Sequence, residues 1–363
     1  MIIHTECSDG WGGQEIRILE ELRGMRKQGY RTGLIVPEHS QLFGRARKEG
    51  FDVYPVRFRN KGHVPSWMTL FRLFSQLKPE VVNTHSSDDS WMAGFAARVL
   101  GVPLIIRTRH VSTPIGSAFS YRHFPHLILT TSDSIRKDLM DRGLDGSGIM
   151  TVPTGIDSKR FSFSDGWRER IRETLGIRGQ EFLVGNVCVL RSWKGLDFFI
   201  ETAAALKGPF KFILVGEGPQ RKRLEQKVKD MDLADRVLFT GHVENVEEYY
   251  SAIDVFFFTS YASEGVPQAL LQAMSVGLPM VVCHNASVME TLEGYEDHIP
   301  VTYGEVEEAG RALQKTSERH QWNNSVQSAR RRLLKARYTL ESMWNRIEEI
   351  YRSKGIPSPD AAE

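Results

Sequence analysis

The chain has 363 residues, of which 41% are hydrophobic and 25% are charged, enough apolar side chains to build two ordinary domains with separate cores. This composition excludes a disordered or fibrous protein. The formal net charge of only +2 lacks the basic excess of a dedicated nucleic-acid-binding protein, so no nucleic-acid partner is expected.

Cysteine usage and hydropathy indicate the compartment. The three cysteines stand far apart without a CxxC pair, so we expect no zinc site, no disulfide framework and a reduced, cytoplasmic setting. No run approaches the roughly 18 to 20 apolar residues that span a bilayer, and no signal peptide is expected. Residues 1–150 hold 20 Lys and Arg against 15 Asp and Glu. This half is therefore the better candidate for peripheral contact with an anionic membrane, at the inner face of the cytoplasmic membrane.

Short apolar runs alternate with amphipathic segments along the first half, which is typical of a parallel α/β sheet. One helix is predicted where Trp67, Leu70, Phe71, Phe74 and Leu77 recur on one face before Pro79. The strands predicted here are Ile2–Thr5, Arg31–Val36, Val53–Val56, Val81–His85, Leu104–Arg107 and Leu127–Thr130.

A second series of strands follows a turn-rich linker around residues 153–166. We predict an N-terminal domain over residues 1–160 and a second α/β domain over 161–337. A helix over 338–354 carries apolar residues on one face, and a flexible tail occupies 355–363. The strands predicted in the second domain are Phe182–Val189, Phe210–Val215, Val237–Thr240, Val255–Phe258 and Met280–Val282.

Ligands of open α/β sheets bind at the carboxyl ends of the strands, so the loops that follow strands are the candidate site. Gly12 and Gly13 come after the first strand, where paired glycines let backbone amides approach a phosphate, although a tight turn explains them equally well. His110 follows a later strand and could donate to a sugar hydroxyl or be a satisfied structural histidine.

Two further loops carry polar side chains in the second half. Arg191 and Lys194 stand three apart at a helix start, where they suit a diphosphate or are merely solvated cations. Glu264 lies in the loop before another helix, with Gln272 two turns inside it. A carboxylate and an amide in these places could hold sugar and ribose hydroxyls, or Glu264 could be a helix N-terminal charge.

An ordered set of motifs now resembles a known family. These are Val152–Asp157, Val215-Gly216-Glu217-Gly218-Pro219, the loop around Val243, Ser260–Met274 with its E-x7-Q spacing, and Gly277-Leu278-Pro279. Together they resemble the retaining glycosyltransferases of family four, which have the two-domain B-type fold. The resemblance implies two Rossmann-like domains facing across a cleft, with the last helix crossing back to the N-terminal domain.

The resemblance also implies roles for individual residues. Glu264 and His110 would contact the donor sugar, and Arg191 and Lys194 would neutralise the leaving diphosphate. The other donor-binding positions would be Gly12, Gly13, Gly216, Val243, Gly265, Val266, Pro267 and Gln272. This chain departs from the family pattern at Gln272, where the family has glutamate, at Thr154, where it has asparagine, and at Arg191, which stands closer to Lys194 than usual.

The function implied is transfer of a sugar from a nucleotide-diphosphate sugar to a cell-envelope glycan or lipid-linked acceptor, such as lipopolysaccharide core, with retention of configuration. The leaving phosphate would take the acceptor proton while cations stabilise its charge. No metal or resident cofactor is expected, and UDP is favoured by family frequency. A non-catalytic nucleotide-sugar-binding protein and a nucleotide-sugar epimerase remain the alternatives.

Overall fold

A computed structural model describes residues 1–58, 62–261, 265–319, 334 and 337–359. The chain forms two compact units, one made of Met1–Gly155 with the segment from Leu340 onward, and one made of Ile156–Thr339. Each unit contains one parallel sheet.

The strands are β1 Ile2–Thr5, β2 Thr32–Val36, β3 Asp52–Pro55, β4 Val81–Thr84, β5 Leu104–Arg109, β6 Leu127–Thr130, β7 Ile149–Thr151, β8 Phe182–Val187, β9 Phe210–Val215, β10 Val237–Gly241, β11 Val255–Phe258, β12 Met280–Cys283 and β13 His298–Val301. The α-helices are α1 Gly13–Lys27, α2 Gln41–Lys48, α3 Val64–Leu77, α4 Ser87–Val99, α5 Phe119–His123, α6 Asp133–Asp141, α7 Asp165–Thr174, α8 Leu196–Ala205, α9 Arg221–Asp230, α10 Val246–Ala252, α11 Gln268–Val276, α12 Ala286–Thr291, α13 Val306–Arg319 and α14 Leu340–Ser353.

Both sheets confirm the predicted α/β class. The first sheet has the order β3-β2-β1-β4-β5-β6-β7 and the second β10-β9-β8-β11-β12-β13, with parallel pairing throughout. In each order the direction of winding reverses once, between β1 and β4 and between β8 and β11. These reversals are the points where open α/β sheets bind ligands, because the loops on either side diverge and leave a crevice.

Two edge strands, β7 and β13, were not predicted. β7 has only three residues, and β13 contains Pro300. Proline removes a ladder donor and is tolerated at sheet edges, where one side of the strand is unpaired. Both strands therefore form because they pair with a neighbouring strand, and their own apolar sequence pattern is weak.

The last helix, α14, packs on the first unit. Its apolar face joins the core of β1, β4, β5 and β6, and the Trp344 indole donates to the carbonyl of Glu20 in α1 at 2.8 Å. Gly24 lies directly beneath that ring, because a Cβ at this position would stand 2.2 Å from Trp344 Cδ1. A helical glycine is thus required by close approach of another side chain.

The first residues of the segment that was predicted as a flexible tail pack on the first unit. Gly355 has φ +80°, and the Ile356 amide donates to the Tyr351 carbonyl at 3.0 Å, the bonding pattern of a Schellman cap. Ile356 is buried in the core, and Pro359 would contact a Cβ built on Gly29. The glycine followed by an apolar residue was the available signal, and residues 360–363 lie outside the described residues.

The first unit ends at Gly155, before the boundary predicted at residue 160. Ile156 donates its amide to the Tyr338 carbonyl at 2.8 Å, and both Ile156 and Phe161 are buried in a core of the second unit. Residues 156–160 therefore belong to the second unit. Thr154, just before the boundary, accepts a hydrogen bond from the buried Arg17 guanidinium at 2.9 Å, which gives this departure from the family motif a structural role.

Candidate functional site

Three histidines form a hydrogen-bonded row where β1 and β4 meet in the first unit. His4 Nδ1 lies 2.9 Å from His85 Nε2, and His85 Nδ1 lies 2.8 Å from His110 Nε2. His4 is on β1, His85 follows β4 and His110 follows β5, so the sheet order brings them together. All three side chains are buried, and burial lowers the pKa of His4 and holds those of His85 and His110 well below the usual value.

The inner end of this row favours one direction for its protons. His4 Nδ1 also lies 3.9 Å from Glu21 Oε2, which favours a proton on that nitrogen. His4 would then donate to His85, and His85 to His110, leaving the His110 proton on Nδ1. His4, Glu21 and His85 have spacing that could suit a metal, but the Arg17 guanidinium already binds Glu21 at 2.7 Å. A hydrogen-bonded cluster fits this arrangement better than a cation site.

Glu6, at the end of β1, is a site residue that the sequence analysis missed. Its Oε1 accepts hydrogen bonds from the amides of Cys7 and Ser8 at 2.7 Å and from Ser86 Oγ at 2.6 Å. Its other oxygen accepts from the Gln14 side chain. Burial and the nearby Asp89 carboxylate raise the pKa of Glu6 to about 8. A polar residue directly after a buried strand was the signal that could have identified it.

The glycine pair lies beside this carboxylate, at the start of α1. The Gly12 amide donates to Glu15 Oε2 at 2.8 Å, closing a capping box, so this N–H is engaged within the chain. Gly12 has φ −150°, an extended backbone that requires no glycine, and the nearest atom to an added Cβ is Glu15 Oε2 at 3.5 Å. What distinguishes position 12 is open space above the helix start.

In the second unit, the loop after β8 is held against the end of β11. Thr259 Oγ1 donates to the Lys194 carbonyl at 2.8 Å, and Ser260 Oγ to that of Trp193 at 3.2 Å. Gly195 has φ +66°, and a Cβ there would stand 2.1 Å from the Thr259 carbonyl oxygen. Only glycine permits this approach.

This anchoring fixes the two predicted cations at the switch point of the second sheet. Arg191 is exposed, with its guanidinium carbon 5.1 Å from the centroid of the Trp193 ring. Lys194 is half-buried and closes a single 3-10 turn just before α8. The loop that joins β11 to α11 therefore begins against the backbone of Trp193 and Lys194, two and three residues after Arg191.

The loops after β9 and β10 pack closely on the same region. Gly216 has φ +138°, and a Cβ there would stand 2.0 Å from the Cys188 carbonyl oxygen. A Cβ on Gly218 would stand 2.6 Å from the backbone nitrogen and carbonyl oxygen of Leu190. Val243, in the loop after β10, is half-buried against the second-unit core. Gly216 and Val243 thus shape the loops around the candidate nucleotide site.

The start of α11 holds the remaining predicted contacts. Gly265 and Pro267 are buried and Val266 is half-buried, with Pro267 at the N-cap. Glu264, the predicted sugar-binding carboxylate, lies outside the described residues. Gln268, which was not predicted, has both amide atoms buried without a hydrogen-bond partner among the described residues. Such an amide is costly unless a ligand satisfies it.

Gln272 lies one turn further along α11 and is largely buried. Its Oε1 is 2.9 Å from the Tyr250 hydroxyl, which is also 3.0 Å from the Ala269 carbonyl. A phenol has one proton for these two acceptors. With the amide ends exchanged, Nε2 donates to Tyr250 and Tyr250 to Ala269, which satisfies all three groups. That orientation leaves the Gln272 oxygen available as an acceptor.

Hydropathy along the helices gives a separate finding. Within the described residues, none of the helices combines the length and the apolar character that a membrane crossing requires.

Comparison with known proteins agrees with this geometry. Residues 11–160 match the family described as Glycosyltransferase Family 4, and residues 181–318 match Glycosyl transferases group 1. The UDP-Gal:alpha-D-GlcNAc-diphosphoundecaprenol alpha-1,3-galactosyltransferase of Escherichia coli is 27% identical over 63% of this chain and 65% of its own length. The putative teichuronic acid biosynthesis glycosyltransferase TuaC of Bacillus subtilis is 25% identical over 83% of this chain and 79% of its own.

Solved structures share the fold. The crystal structure of HepE from Anabaena in complex with UDP is 19% identical, with a TM-score of 0.86 over 97% of this chain and all of that chain. The two matching families together span both units, and the site loops fall within them. The chain belongs to the family-four glycosyltransferases with the two-domain B-type fold.

Proposed function

We propose that this glycosyltransferase transfers a hexose from a UDP-sugar, with retention of configuration, to a lipid-linked or glycan acceptor of the cell envelope. The observation that carries the proposal is the junction in the second unit where Gly195 and Thr259 meet. It places the backbone of Lys194, three residues after Arg191, against the start of the loop that leads into α11. HepE has been crystallised with UDP and with UDP-glucose, and its fold is the same.

The chemistry follows from these side chains. Arg191 and Lys194 would bind the diphosphate and stabilise the charge that develops on it as the sugar leaves, without need of a metal. Amides at the start of α11 add the positive end of a helix. Glu264 and the unsatisfied Gln268 amide would hold hydroxyls of the donor sugar, and Gln272 those of the ribose.

Retention is proposed through a front-face reaction, in which the departing phosphate accepts the proton of the incoming hydroxyl. His110, with its proton on Nδ1, would donate to a hydroxyl of the donor sugar. The buried row behind His110 fixes its tautomer and keeps it neutral, since each pKa is lowered. Neutral imidazole is the better donor for a sugar hydroxyl, because it adds no charge that would repel a developing positive charge on the sugar.

A peripheral membrane contact is proposed for the outer face of α3 and α4. Val64 and Met68 are 62% and 67% exposed, and Phe95 and Val99 on α4 are also exposed. Trp67 packs edge-on against Phe95 at 5.6 Å, so the two helices present one continuous apolar surface. The E. coli relative is named for a lipid-diphosphate acceptor, which an enzyme reaches at a membrane.

The donor site is tested by calorimetric binding of UDP, GDP and ADP, with and without EDTA. We expect UDP to bind best, EDTA to change nothing, and Arg191→Ala/Lys194→Ala to weaken binding by roughly a hundredfold, since two charge-assisted contacts are lost. Arg311→Ala/Lys315→Ala is the matched control, because it removes two exposed cations four residues apart on α13. Equal binding in both double variants would contradict the assignment.

Catalysis is tested by UDP-glucose hydrolysis and by transfer, with the product anomer identified by NMR. An α-linked product from an α-linked donor is expected, and Glu264→Ala should abolish both reactions while UDP still binds. Binding of UDP-glucose without hydrolysis or transfer under any condition would favour a non-catalytic binding protein.

A further inference from the structure

The first unit contains a cavity at the carboxyl end of β5, lined by residues that were given no role in donor binding. Its volume is about 290 Å³, and its lining includes Arg107, Arg109, Trp91, Ser117, Ser120 and Tyr121. Arg107 and Arg109 are two apart on one strand, so both side chains leave the same face of the sheet. Two guanidinium groups therefore share one small cavity.

The hydrogen-bond partners of these two cations in the described part of the chain are neutral groups. Among the described residues, no carboxylate forms an ion pair with either guanidinium. The charge of Asp89 acts against the lowering of the Arg107 pKa, but both of its carboxylate oxygens accept hydrogen bonds from other groups. They accept from Thr5 Oγ1 at 2.7 Å and from the amides of His85 and Ser86 at 2.9 and 2.8 Å.

Arg107 is the more unusual of the pair because it is only 4% exposed. It donates to Ser120 Oγ at 2.6 Å, and its guanidinium carbon lies 3.4 Å from the Tyr121 ring centroid. Burial lowers its pKa, because the charged guanidinium is costly to remove from water. A guanidinium has five N–H donors, and an anion in the cavity would use those that the chain leaves.

Arg109 is held at the rim in a defined pose. Its Nη1 donates to the Tyr121 hydroxyl at 2.6 Å, and its Nη2 donates to the Thr113 carbonyl. Tyr121 thus lies against both arginines, and the Trp91 ring stacks on Phe119 with ring centroids 5.5 Å apart. The cavity combines a fixed pair of guanidinium groups with aromatic walls, which suits a phosphate attached to a sugar.

We propose that this cavity binds a phosphoryl group of the acceptor, so that the acceptor is a phosphorylated sugar. The inference rests on the proposed function, because it specifies the acceptor class of the same enzyme. A phosphoryl group has enough oxygens to accept hydrogen bonds from both guanidinium groups at once. A carboxylate has fewer oxygens for this purpose. The phosphate can belong to a soluble sugar phosphate or to a sugar held on a lipid diphosphate.

The test is calorimetric titration of the full chain with a hexose 1-phosphate, the matching hexuronic acid and the neutral methyl hexoside. We expect only the phosphate to bind well, and Arg109→Gln to weaken that binding about tenfold or more. Arg109→Lys should recover part of the loss, since it restores the charge without the fork. Arg142→Gln, an exposed arginine of α6's C-terminus, is the control and should bind like the wild type.

A sugar on a short prenyl diphosphate, added in detergent, separates the two sources of phosphate. Tighter binding than the hexose 1-phosphate would indicate a lipid-linked acceptor, and equal binding a soluble one, both in agreement with the proposal. Equal affinity for the phosphate, the acid and the neutral sugar, or no effect of Arg109→Gln in a folded protein, would overturn it. UDP binding in the same samples distinguishes this failure from failure of the donor site.

Discussion

At residue 272 the chain replaces the family's glutamate with an amide, and the surroundings of that amide explain how it can still act. Tyr250 lies between Gln272 and the Ala269 carbonyl, and burial raises its pKa well above the usual value, so the phenol keeps its proton. It can hold the amide in one orientation. A neutral acceptor then replaces a carboxylate that would be costly to bury.

This arrangement predicts the effect of removing the amide. Gln272→Leu should reduce the preference for UDP over 2′,3′-dideoxy-UDP from about tenfold to near one, because the lost hydrogen bond is to the ribose. Tyr250→Phe should reduce the same preference by less, since it only frees the amide to rotate. Calorimetric affinities for both ligands provide the measurement, and an unchanged preference in Gln272→Leu would remove Gln272 from the ribose site.

Glu6 predicts a pH dependence of stability. Its folded pKa of about 8 lies above that of the unfolded chain, so between these values the folded state holds a proton that the unfolded state has lost. The contribution of Glu6 to the free energy of unfolding is complete at low pH and is lost as pH rises toward 8. The unfolding free energy then falls by up to about 1.4 kcal/mol per pH unit.

Glu6→Gln, which cannot ionise, should flatten the fall in unfolding free energy between pH 6 and 8. Chemical denaturation at several pH values measures this slope. The histidine row acts in the opposite sense, because the lowered pKa values of His85 and His110 destabilise the fold only as pH falls below the unfolded value near 6.5. If the unfolding free energy of Glu6→Gln fell with pH as steeply as that of the wild type, the pH dependence would belong to another group.

At the scale of elements, the contact between α1 and α14 decides how the chain's last helix is used. A glycine within a helix usually costs stability relative to alanine. Gly24 is retained because the Trp344 ring occupies the space where a Cβ would be. Gly24 therefore lowers the helix propensity of α1 but allows α14 to pack closely against it.

This contact predicts opposite effects of one substitution at two helical glycines. Gly24→Ala should lower the unfolding free energy by about 1–3 kcal/mol, since the methyl group overlaps the indole. Gly44→Ala is the matched control in α2, where an added Cβ meets nothing within 4 Å, and it should stabilise by about 0.5–1 kcal/mol. Urea unfolding measures both, and stabilisation by Gly24→Ala would show that Trp344 does not pack there.

At the scale of the whole molecule, each unit has its own buried cores, and the residues proposed to bind the diphosphate belong to the second. A ligand stabilises only the unit that binds it, by about 2.7 kcal/mol at a hundred times its dissociation constant. The last helix covers the core of the first unit only. The two units should therefore respond to different perturbations.

Scanning calorimetry tests this separation. UDP should raise the unfolding temperature of one transition, and ending the chain at Thr339 should lower that of the other, since the core beneath α14 becomes exposed. In the full chain, the fluorescence of Trp344 reports the first unit, to which that residue belongs, and so identifies the transition of that unit. If both perturbations moved the same transition equally, the two units would unfold as one.

The sequence by itself predicted the α/β class, most of the strands, the loops that follow them and the helix that needed a surface to cover. Alternating short apolar runs and helical periodicity are local, so each element carries its own signal. The motifs likewise lie within single loops, and Arg191, Lys194, Gly216 and Gln272 could be named before any coordinates. The edge strands β7 and β13 have weak signals because their burial comes from a single neighbour.

Only the tertiary structure decided which loops meet. His4 and His85 are 81 residues apart, and they touch because β4 pairs with β1 out of sequence order. The same is true of Gly24 with Trp344, of Gly195 with Thr259 and of Arg107 and Arg109 with Tyr121. Such contacts depend on strand order and on burial of charge in a particular place, and local patterns carry no record of either. The sequence therefore located the loops, and the fold determined their chemistry.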